Sequence, residues 1–293
     1  MTVTSTPTVR PTLRSALPEA VRELAEAQVP SPRPDAEELA CFALGVDRRS
    51  LVAHLDEPVP AGFGDLIRRR AQRVPLQHLT GRAYFRTLTL AVGPGVFVPR
   101  PETEVVVDTA LHLLGGAPAP HPVVVDLGAG SGAIALSIAA ELPHAVVHAV
   151  ELSDDVWPWL ARNAVGSPVR LHQADLAECL PELDGCVDLV VSNPPYIPDD
   201  AVPCDPEVAR HDPSVALYSG ADGLDHIRSV QRSARRLLRP GGWVVVEHAD
   251  QQGDSAPAVF RGAGGWVDVD DHPDLAGRPR HLVARRAAGE EGR

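Results

Sequence analysis

The chain of 293 residues has no lysine, one methionine and four cysteines. Every basic residue is therefore an arginine, and beside the abundant alanine, glycine and proline this indicates coding bias rather than a chemical role. The cysteines show no C-x-x-C spacing and no clustered histidines, so we expect buried, reduced thiols and neither a disulfide nor a metal site. They are Cys41, Cys179, Cys186 and Cys204.

Long apolar runs are also missing from the sequence. No segment is long enough to span a bilayer, so we expect no membrane partner. Residues 1–12 are rich in threonine and proline and lack the apolar stretch of a signal peptide, which favours a cytoplasmic protein with a disordered lead-in. Residues 287–293 are predicted to form a flexible tail.

Positive charge is scarce in the larger, C-terminal part of the chain. The net charge is −12, of which residues 1–98 contribute +2 and residues 99–293 contribute −14. Nucleic-acid binding depends largely on neutralising phosphates, so we expect no direct contact with DNA or RNA. The basic run Arg68-Arg69-Arg70, with Arg73, is predicted to be a solvated helix face; a contact for an acidic or RNA-bearing partner is the alternative.

Hydrophobic periodicity divides the chain into three parts. Residues 13–79 carry apolar side chains at helical spacing, which predicts a small helical domain. Residues 80–98 are predicted to form a β-hairpin linker. Residues 99–286 alternate apolar strand-like runs with helices, which is typical of an α/β domain with a sheet of about seven strands.

Two local features of these parts lead to specific structural predictions. The linker contains short β segments at residues 84–92 and 96–98, with Gly93-Pro94-Gly95 as the expected turn of the hairpin. Farther along, Pro158 lies between two tryptophans and is expected to interrupt the helix that should follow the second strand of the α/β domain.

A glycine-rich loop follows the first strand of the α/β part. Glycines let a backbone approach a ligand closely, and the next helix offers free N–H groups at its start. The second strand ends in Glu151, about 20 residues farther on, where an acid can accept hydrogen bonds from a ribose. A dehydrogenase would share this pattern. The pattern therefore predicts a nucleotide-binding site but does not identify the reaction. The loop reads Asp126-Leu127-Gly128-Ala129-Gly130-Ser131-Gly132.

The fourth strand delivers a second motif, Asn193-Pro194-Pro195-Tyr196. The Asn193 amide can donate and accept hydrogen bonds, whereas the prolines have no N–H to offer. Tyr196 adds a flat aromatic face. Together these groups suit a planar –NH2 group, although a strand that ends in a proline turn is the simpler interpretation of such a motif in isolation.

Four segments, taken in order, resemble the HemK/PrmC family. These enzymes methylate the side-chain amide nitrogen of the glutamine in the Gly-Gly-Gln motif of class-I peptide-chain release factors. The resemblance covers about residues 13–285 and implies a Rossmann-like class I methyltransferase fold, S-adenosylmethionine as methyl donor and a release factor as partner. The segments are Pro75-Leu76-Gln77-His78-Leu79-Thr80-Gly81, Phe97-Val98-Pro99-Arg100-Pro101-Glu102-Thr103-Glu104, Asp126 to Gly132, and Asn193-Pro194-Pro195-Tyr196-Ile197-Pro198.

The resemblance also implies roles for individual residues. The Asn193 side-chain oxygen and the Pro194 carbonyl would accept the two N–H bonds of the substrate glutamine, and Tyr196 would pack on its amide. Asp175 would accept a hydrogen bond from the adenine amino group, with Leu176 against the ring. Further substrate contacts are expected from Pro195 and from the loop residues Arg100 and Glu102.

Three other functions compete with this one. A related glutamine methyltransferase that acts on a ribosomal protein has Arg-Ser-Pro where this chain has Arg100-Pro101-Glu102, which favours the release-factor branch. A nucleic-acid methyltransferase would place a flipped base in the same slot, but it would need a basic groove. A non-catalytic nucleotide-binding protein gives no reason for a donor-free proline pair beside Asn193.

Overall fold

The computed structural model describes residues 11–116, 119–203 and 205–288. The chain divides into two compact units, one formed by residues up to Gly81 together with 205–211, and the other by the rest. Cys204 and most of the predicted lead-in and tail lie outside the described residues. No helix in the described ranges is long and apolar enough to cross a membrane.

The first unit is helical, as its periodicity predicts. Its core consists of apolar side chains that recur three or four positions apart and so share one face of each helix, such as Ala20 and Leu24, Ala36 and Leu39, and Phe63 and Ile67. The second helix ends at Gly45, whose φ of 70° is the left-handed conformation common at helix ends. The helices are α1 (Leu13–Glu26), α2 (Pro32–Leu44), α3 (Phe63–Ala71) and α4 (Leu76–Thr80).

The second unit opens with a two-stranded antiparallel hairpin, β1 (Arg82–Phe85) and β2 (Leu88–Ala91). The predicted turn at Gly93-Pro94-Gly95 is wrong, because the chain reverses instead at Arg86, with φ of 51°. Arg86 is held there by distant partners: its N–H donates to Glu104 Oε1 at 2.9 Å, and its guanidinium pairs with Glu141. Such long-range contacts leave no signal in the local sequence.

A seven-stranded sheet forms the centre of the second unit, which confirms the predicted α/β methyltransferase fold. Its strands lie in the order β5-β4-β3-β6-β7-β9-β8, and β9 runs opposite to the other six strands. The carboxyl ends of the parallel strands consequently meet at one edge, where ligands bind in open sheets of this kind. The strands are β3 (Val123–Leu127), β4 (Val146–Glu151), β5 (Arg170–Gln173), β6 (Val187–Ser192), β7 (Leu238–Glu247), β8 (Trp266–Pro273) and β9 (Pro279–Arg286).

Helices cover both faces of this sheet. Successive strand residues point to opposite faces, so Val124 and Val125 of β3 enter two separate apolar clusters. The cluster around Val124 includes side chains of α5, α6 and α7, and that around Val125 includes side chains of α9 and α10. The helices are α5 (Glu104–Gly115), α6 (Ala133–Glu141), α7 (Trp157–Asn163), α8 (Pro206–His211), α9 (Asp225–Leu237) and α10 (Ser255–Ala263).

The helix α7 forms despite Pro158, so the prediction that this proline interrupts it is wrong. Pro158 is the second residue of α7 and lies in its first turn. Backbone N–H groups there have no partner within the helix, so proline removes no hydrogen bond at that position.

The helix α8 belongs to the first unit although it lies far along the chain. Its Glu207 forms an ion pair of 2.8 Å with Arg70, which also pairs with Asp35 at 2.7 Å. Arg73 pairs with Glu207 at 3.0 Å. The predicted solvated face is therefore wrong for Arg70, which is buried, while Arg68 and Arg69 are exposed.

Candidate active site

The glycine loop connects β3 to α6 at the carboxyl edge of the sheet. Gly128 and Gly130 have φ of 75° and 58°, values that residues with a side chain rarely adopt. A Cβ atom at either position would meet no protein atom within 4 Å. The backbone here is thus open to a ligand, as the sequence predicts. Ala129, Ser131 and Gly132 complete the loop before α6 begins at Ala133.

Glu151 at the end of β4 ties this loop down. Its Oε2 accepts a hydrogen bond from the Gly130 N–H at 3.0 Å, and its Oε1 accepts one from the Ser153 N–H at 2.8 Å. Each carboxylate oxygen has a further lone pair, so both remain able to accept from a ribose. The predicted ribose contact stays a prediction.

The predicted adenine contacts follow β5. Asp175 is exposed, and its Oδ1 accepts a hydrogen bond from the Ala177 N–H at 2.8 Å, which fixes the turn. Leu176 is half-buried against the apolar cluster that contains Val125. Both residues lie at the same sheet edge as the glycine loop, and their contact with adenine stays a prediction.

Asp126, the last polar residue of β3, is a fully buried carboxyl group. Burial, together with the negative charge of Glu151, raises the pKa of Asp126 to about 7, although a hydrogen bond from the Ala135 N–H opposes the rise. Its other oxygen, Oδ1, has no hydrogen-bond partner among the described residues. A buried acceptor without a donor is costly, and a cationic ligand at the loop would relieve that cost. The site therefore fits S-adenosylmethionine, which carries a sulfonium and an ammonium group.

Asn193 directly follows β6, beside this loop. The Ser192 hydroxyl donates to the Leu127 carbonyl at 2.6 Å and so joins the end of β6 to the start of the glycine loop. The Asn193 amide Nδ2 donates to Thr103 Oγ1 at 3.3 Å. Because the NH2 end of the amide faces Thr103, its oxygen remains available as an acceptor, and the predicted contact with the substrate amide stays a prediction.

The aromatic end of the motif is also fixed by its surroundings. The Tyr196 carbonyl accepts a hydrogen bond from Gln252 Nε2 at 3.1 Å. Burial chiefly, and then the charge of Glu247, raises the pKa of the Tyr196 phenol, which therefore stays neutral. Pro194 is buried and Pro195 half-buried. The predicted catalytic residues Asn193, Pro194 and Tyr196 thus lie on the loop that directly follows β6, and their catalytic roles stay predictions.

Two residues of this site were missed by the sequence analysis, Thr103 and Glu247. Both are buried, with 3% and 2% of their surface exposed. Burial is the main reason why the pKa of Glu247 rises to about 7; hydrogen bonds from Thr103 and Asn193 oppose the rise. A signal was present: Glu247 ends an apolar strand just as Glu151 does, and Thr103 lies within a family segment.

The predicted substrate contacts Arg100 and Glu102 lie just before Thr103. The Arg100 guanidinium lies 5.1 Å from the centre of the Phe97 ring and donates to Asp212 Oδ2 at 2.8 Å. The Asp212 carboxylate is fully buried, whereas Glu102 is exposed. Arg100 is thus held in place by its own chain, and its contact with substrate stays a prediction.

Comparison with known proteins identifies both parts of the chain. A family model described as PrmC N-terminal domain matches residues 15–81, and one described as Methyltransferase domain matches residues 124–211. Among solved structures, the hMettl16 catalytic domain in complex with the MAT2A 3'UTR hairpin 6 shares the fold, with a TM-score of 0.54 and 14% identity over 78% of this chain and 84% of that one.

The curated relatives match over almost the whole chain. A release factor glutamine methyltransferase of Streptomyces coelicolor is 54% identical, covering 94% of this chain and 98% of that protein. One of the same name from Mycolicibacterium smegmatis is 48% identical, with 94% and 98% covered. A 4-amino-L-phenylalanine/4-methylamino-L-phenylalanine methyltransferase of Streptomyces pristinaespiralis is 42% identical, with 90% and 92% covered.

Sequence motifs, fold and relatives therefore agree on a methyltransferase that uses S-adenosylmethionine. Its glycine loop lies at the carboxyl edge of the sheet and its Asn-Pro-Pro-Tyr motif lies next to that loop. The chain belongs to the family of release factor glutamine methyltransferases.

Proposed function

We propose that this protein methylates the side-chain amide nitrogen of the glutamine in the Gly-Gly-Gln motif of class-I peptide-chain release factors. The observation that carries the proposal is the orientation of Asn193, whose NH2 end donates to Thr103 and whose oxygen is left for a substrate. The names of the curated relatives support the same substrate.

The chemistry required of the protein is mainly positioning. Bound S-adenosylmethionine supplies a methyl group already activated by its sulfonium. The glutamine amide nitrogen is a weak nucleophile because its lone pair is delocalised into the carbonyl group. Asn193 Oδ1 and the Pro194 carbonyl accept its two N–H bonds and aim the lone pair at the methyl group, and Tyr196 supports the flat amide.

The same contacts stabilise the transition state more than the bound substrate. As the nitrogen begins to bond to carbon it becomes positive, and its hydrogen bonds to the two acceptors strengthen. The proton leaves after that bond has formed, so no strong base is required. Nitrogen gains the methyl group and loses one proton, and S-adenosylhomocysteine departs.

We infer that the first unit and the hairpin, together with Arg100 and Glu102, grip the body of the release factor while the second unit binds the cofactor. The first unit supports this through its match to the PrmC N-terminal domain. Release factors act in the cytoplasm, where we expect the reaction, without direct contact to nucleic acid or membrane.

A second candidate function follows from one relative. The Streptomyces pristinaespiralis protein is named for a small aromatic amine, and a pair of acceptors beside an aromatic face suits any planar amino nitrogen. Methylation of a free amino-aryl amino acid is therefore the alternative to methylation of a protein.

One experiment separates these substrates. The enzyme is incubated with labelled S-adenosylmethionine in three parallel reactions. The first contains a purified release factor, the second contains that factor with glutamate in place of the Gly-Gly-Gln glutamine, and the third contains 4-amino-L-phenylalanine. We expect label on the glutamine of the first substrate alone, located by peptide mapping. Label on the free amine, with none on the release factor, would overturn the proposal.

A further inference from the structure

Glu247 lies within the candidate site, at the carboxyl end of β7. The preceding residue, Val246, pairs with Ser192, so Glu247 stands beside Asn193, which directly follows the neighbouring strand β6. Hydrogen bonds from Thr103 and Asn193 act on its carboxylate. Its Oε2 is buried and has no hydrogen-bond partner among the described residues. Burying a charged group is costly, so a carboxylate in this position indicates a specific role.

The orientation of the Asn193 amide supplies that role. The two ends of an asparagine amide have nearly the same shape, so its neighbours decide which end faces which way. A carboxylate accepts hydrogen bonds but cannot donate them, and it therefore attracts the NH2 end and repels the oxygen. With Nδ2 donating to Thr103, the amide oxygen remains available to accept a hydrogen bond from the substrate.

Thr103 completes this arrangement. Its Oγ1 accepts the Asn193 N–H at 3.3 Å, and its hydroxyl is one of the groups whose hydrogen bonding lowers the pKa of Glu247. When the Thr103 O–H is directed at Glu247, the Thr103 oxygen presents its lone pairs to Asn193 rather than a competing O–H. Both neighbours of the Asn193 amide are thus acceptors, and only one amide orientation satisfies them.

The charges around Glu247 determine the pH range in which it orients the Asn193 amide. Arg280 lowers the pKa of Glu247, the nearby charge of Glu102 raises it, and burial has the largest effect, for a value of about 7. Tyr196 also faces the carboxylate and stays neutral. Below that pH Glu247 carries a proton, becomes a possible donor to the Asn193 oxygen, and no longer distinguishes the two orientations.

We propose that Glu247, acting through Thr103, is a positioning residue that locks the Asn193 amide with its oxygen toward the substrate nitrogen. Glu247 does not touch the substrate and does not accept its proton. The inference rests on the proposed function, because it concerns how that function's nitrogen acceptor is oriented.

The test uses the full-length enzyme with a release factor in single-turnover reactions, and measures the affinities for release factor and S-adenosylmethionine separately. Glu247→Gln keeps the shape but adds an NH2 group that can satisfy the flipped Asn193 amide. We expect the methylation rate to fall by ~10- to 100-fold, as for a small misplacement of a reacting group, with both affinities within about twofold of wild type. Glu182→Gln is the control: it removes an exposed carboxylate that precedes the N-terminal end of β6, and it should change neither the methylation rate nor the two affinities.

Thr103 provides a second route to the same conclusion. Thr103→Val removes the hydroxyl without changing the shape and should lower the rate as Glu247→Gln does, while Thr103→Ser should restore most of it. Because the two residues act as one unit, the double variant Glu247→Gln, Thr103→Val should be little slower than either single variant.

The pH profile distinguishes positioning from a structural role. The wild-type rate should fall as the pH drops below about 7, and this fall should be absent in Glu247→Gln. An active Glu247→Gln enzyme with an unchanged rate and profile would overturn the inference while leaving the proposed function standing. Wild-type enzyme that does not methylate the release factor would instead refute the proposed function.

Discussion

At the scale of single residues, the site depends on carboxyl groups whose surroundings change their chemistry. Glu151 and Glu247 end β4 and β7, and Asp126 is the next-to-last residue of β3 at the same sheet edge, yet the three carboxyl groups differ. Glu151 is held by backbone N–H groups, whereas burial raises the pKa of both Asp126 and Glu247 to about 7. The position of an acid at a strand end can be predicted from sequence, but its desolvation depends on the packed structure.

The raised pKa of Asp126 predicts a pH-dependent stability. Its folded pKa lies above its unfolded value of 3.8, so the group favours folding when protonated, and that contribution is lost as the pH rises to about 7. Asp126→Asn should therefore make the cofactor-free protein more stable at pH 8, by on the order of 1–4 kcal/mol. The gain should shrink toward pH 4. Urea unfolding across this range measures it; an equal effect at every pH would contradict the assignment.

At the scale of elements, the Asn-Pro-Pro-Tyr loop is held by a close approach between segments. Gly223, with φ of 72°, lies just before α9, and a Cβ atom there would fall 2.4 Å from the Tyr196 carbonyl oxygen and 2.9 Å from Gln252 Nε2. Both atoms belong to the hydrogen bond that fixes the loop. No motif in the sequence marks this glycine, because its role depends on a neighbour distant in the chain.

The substitution Gly223→Ala should accordingly displace the loop. We expect destabilisation of ~1–3 kcal/mol, from the clash and the strained backbone, and slower methylation. Gly262→Ala is a matched control, since Gly262 lies in α10 and a Cβ there meets open space. That variant should be neutral or more stable by ~0.5–1 kcal/mol. Equal thermal stability and activity for the two variants would show that the Tyr196 carbonyl does not depend on Gly223.

At the scale of the whole molecule, the chain passes through both units more than once. After the Asn-Pro-Pro-Tyr motif it enters the first unit with α8, and at Asp212 it returns to the second, where Asp212 holds Arg100. The division near residue 80 follows from the change in periodicity. The return of the chain to the first unit at α8 does not follow from periodicity, because it depends on the buried pairing of Arg70 with Glu207.

This pairing predicts how the first unit responds to substitution. Arg70→Ala leaves the buried carboxylate of Asp35 without its ion-pair partner and weakens the hold on Glu207, which should cost on the order of 3 kcal/mol. Release-factor methylation should fall, while S-adenosylmethionine affinity, which we propose to be a property of the second unit, should hold. The exposed neighbour supplies the control Arg69→Ala, which should behave as wild type. Thermal unfolding and calorimetry test both; an equal loss of cofactor affinity in Arg70→Ala would contradict the division of labour.

The proposed mechanism depends on Asn193 as the acceptor that orients the substrate amide. Single-turnover methylation of a release factor by the Asn193→Ala variant tests this role most directly. Loss of one preorganised contact that acts in the transition state lowers a rate by about 10²–10³. The companion variant Asn193→Asp keeps an oxygen but places a charge beside Glu247, and should bind cofactor yet remain slow. We predict for Asn193→Ala a rate loss of that size with nearly unchanged affinity for the release factor, measured separately. Near-normal turnover would contradict the account and leave Asn193 as part of a simple turn.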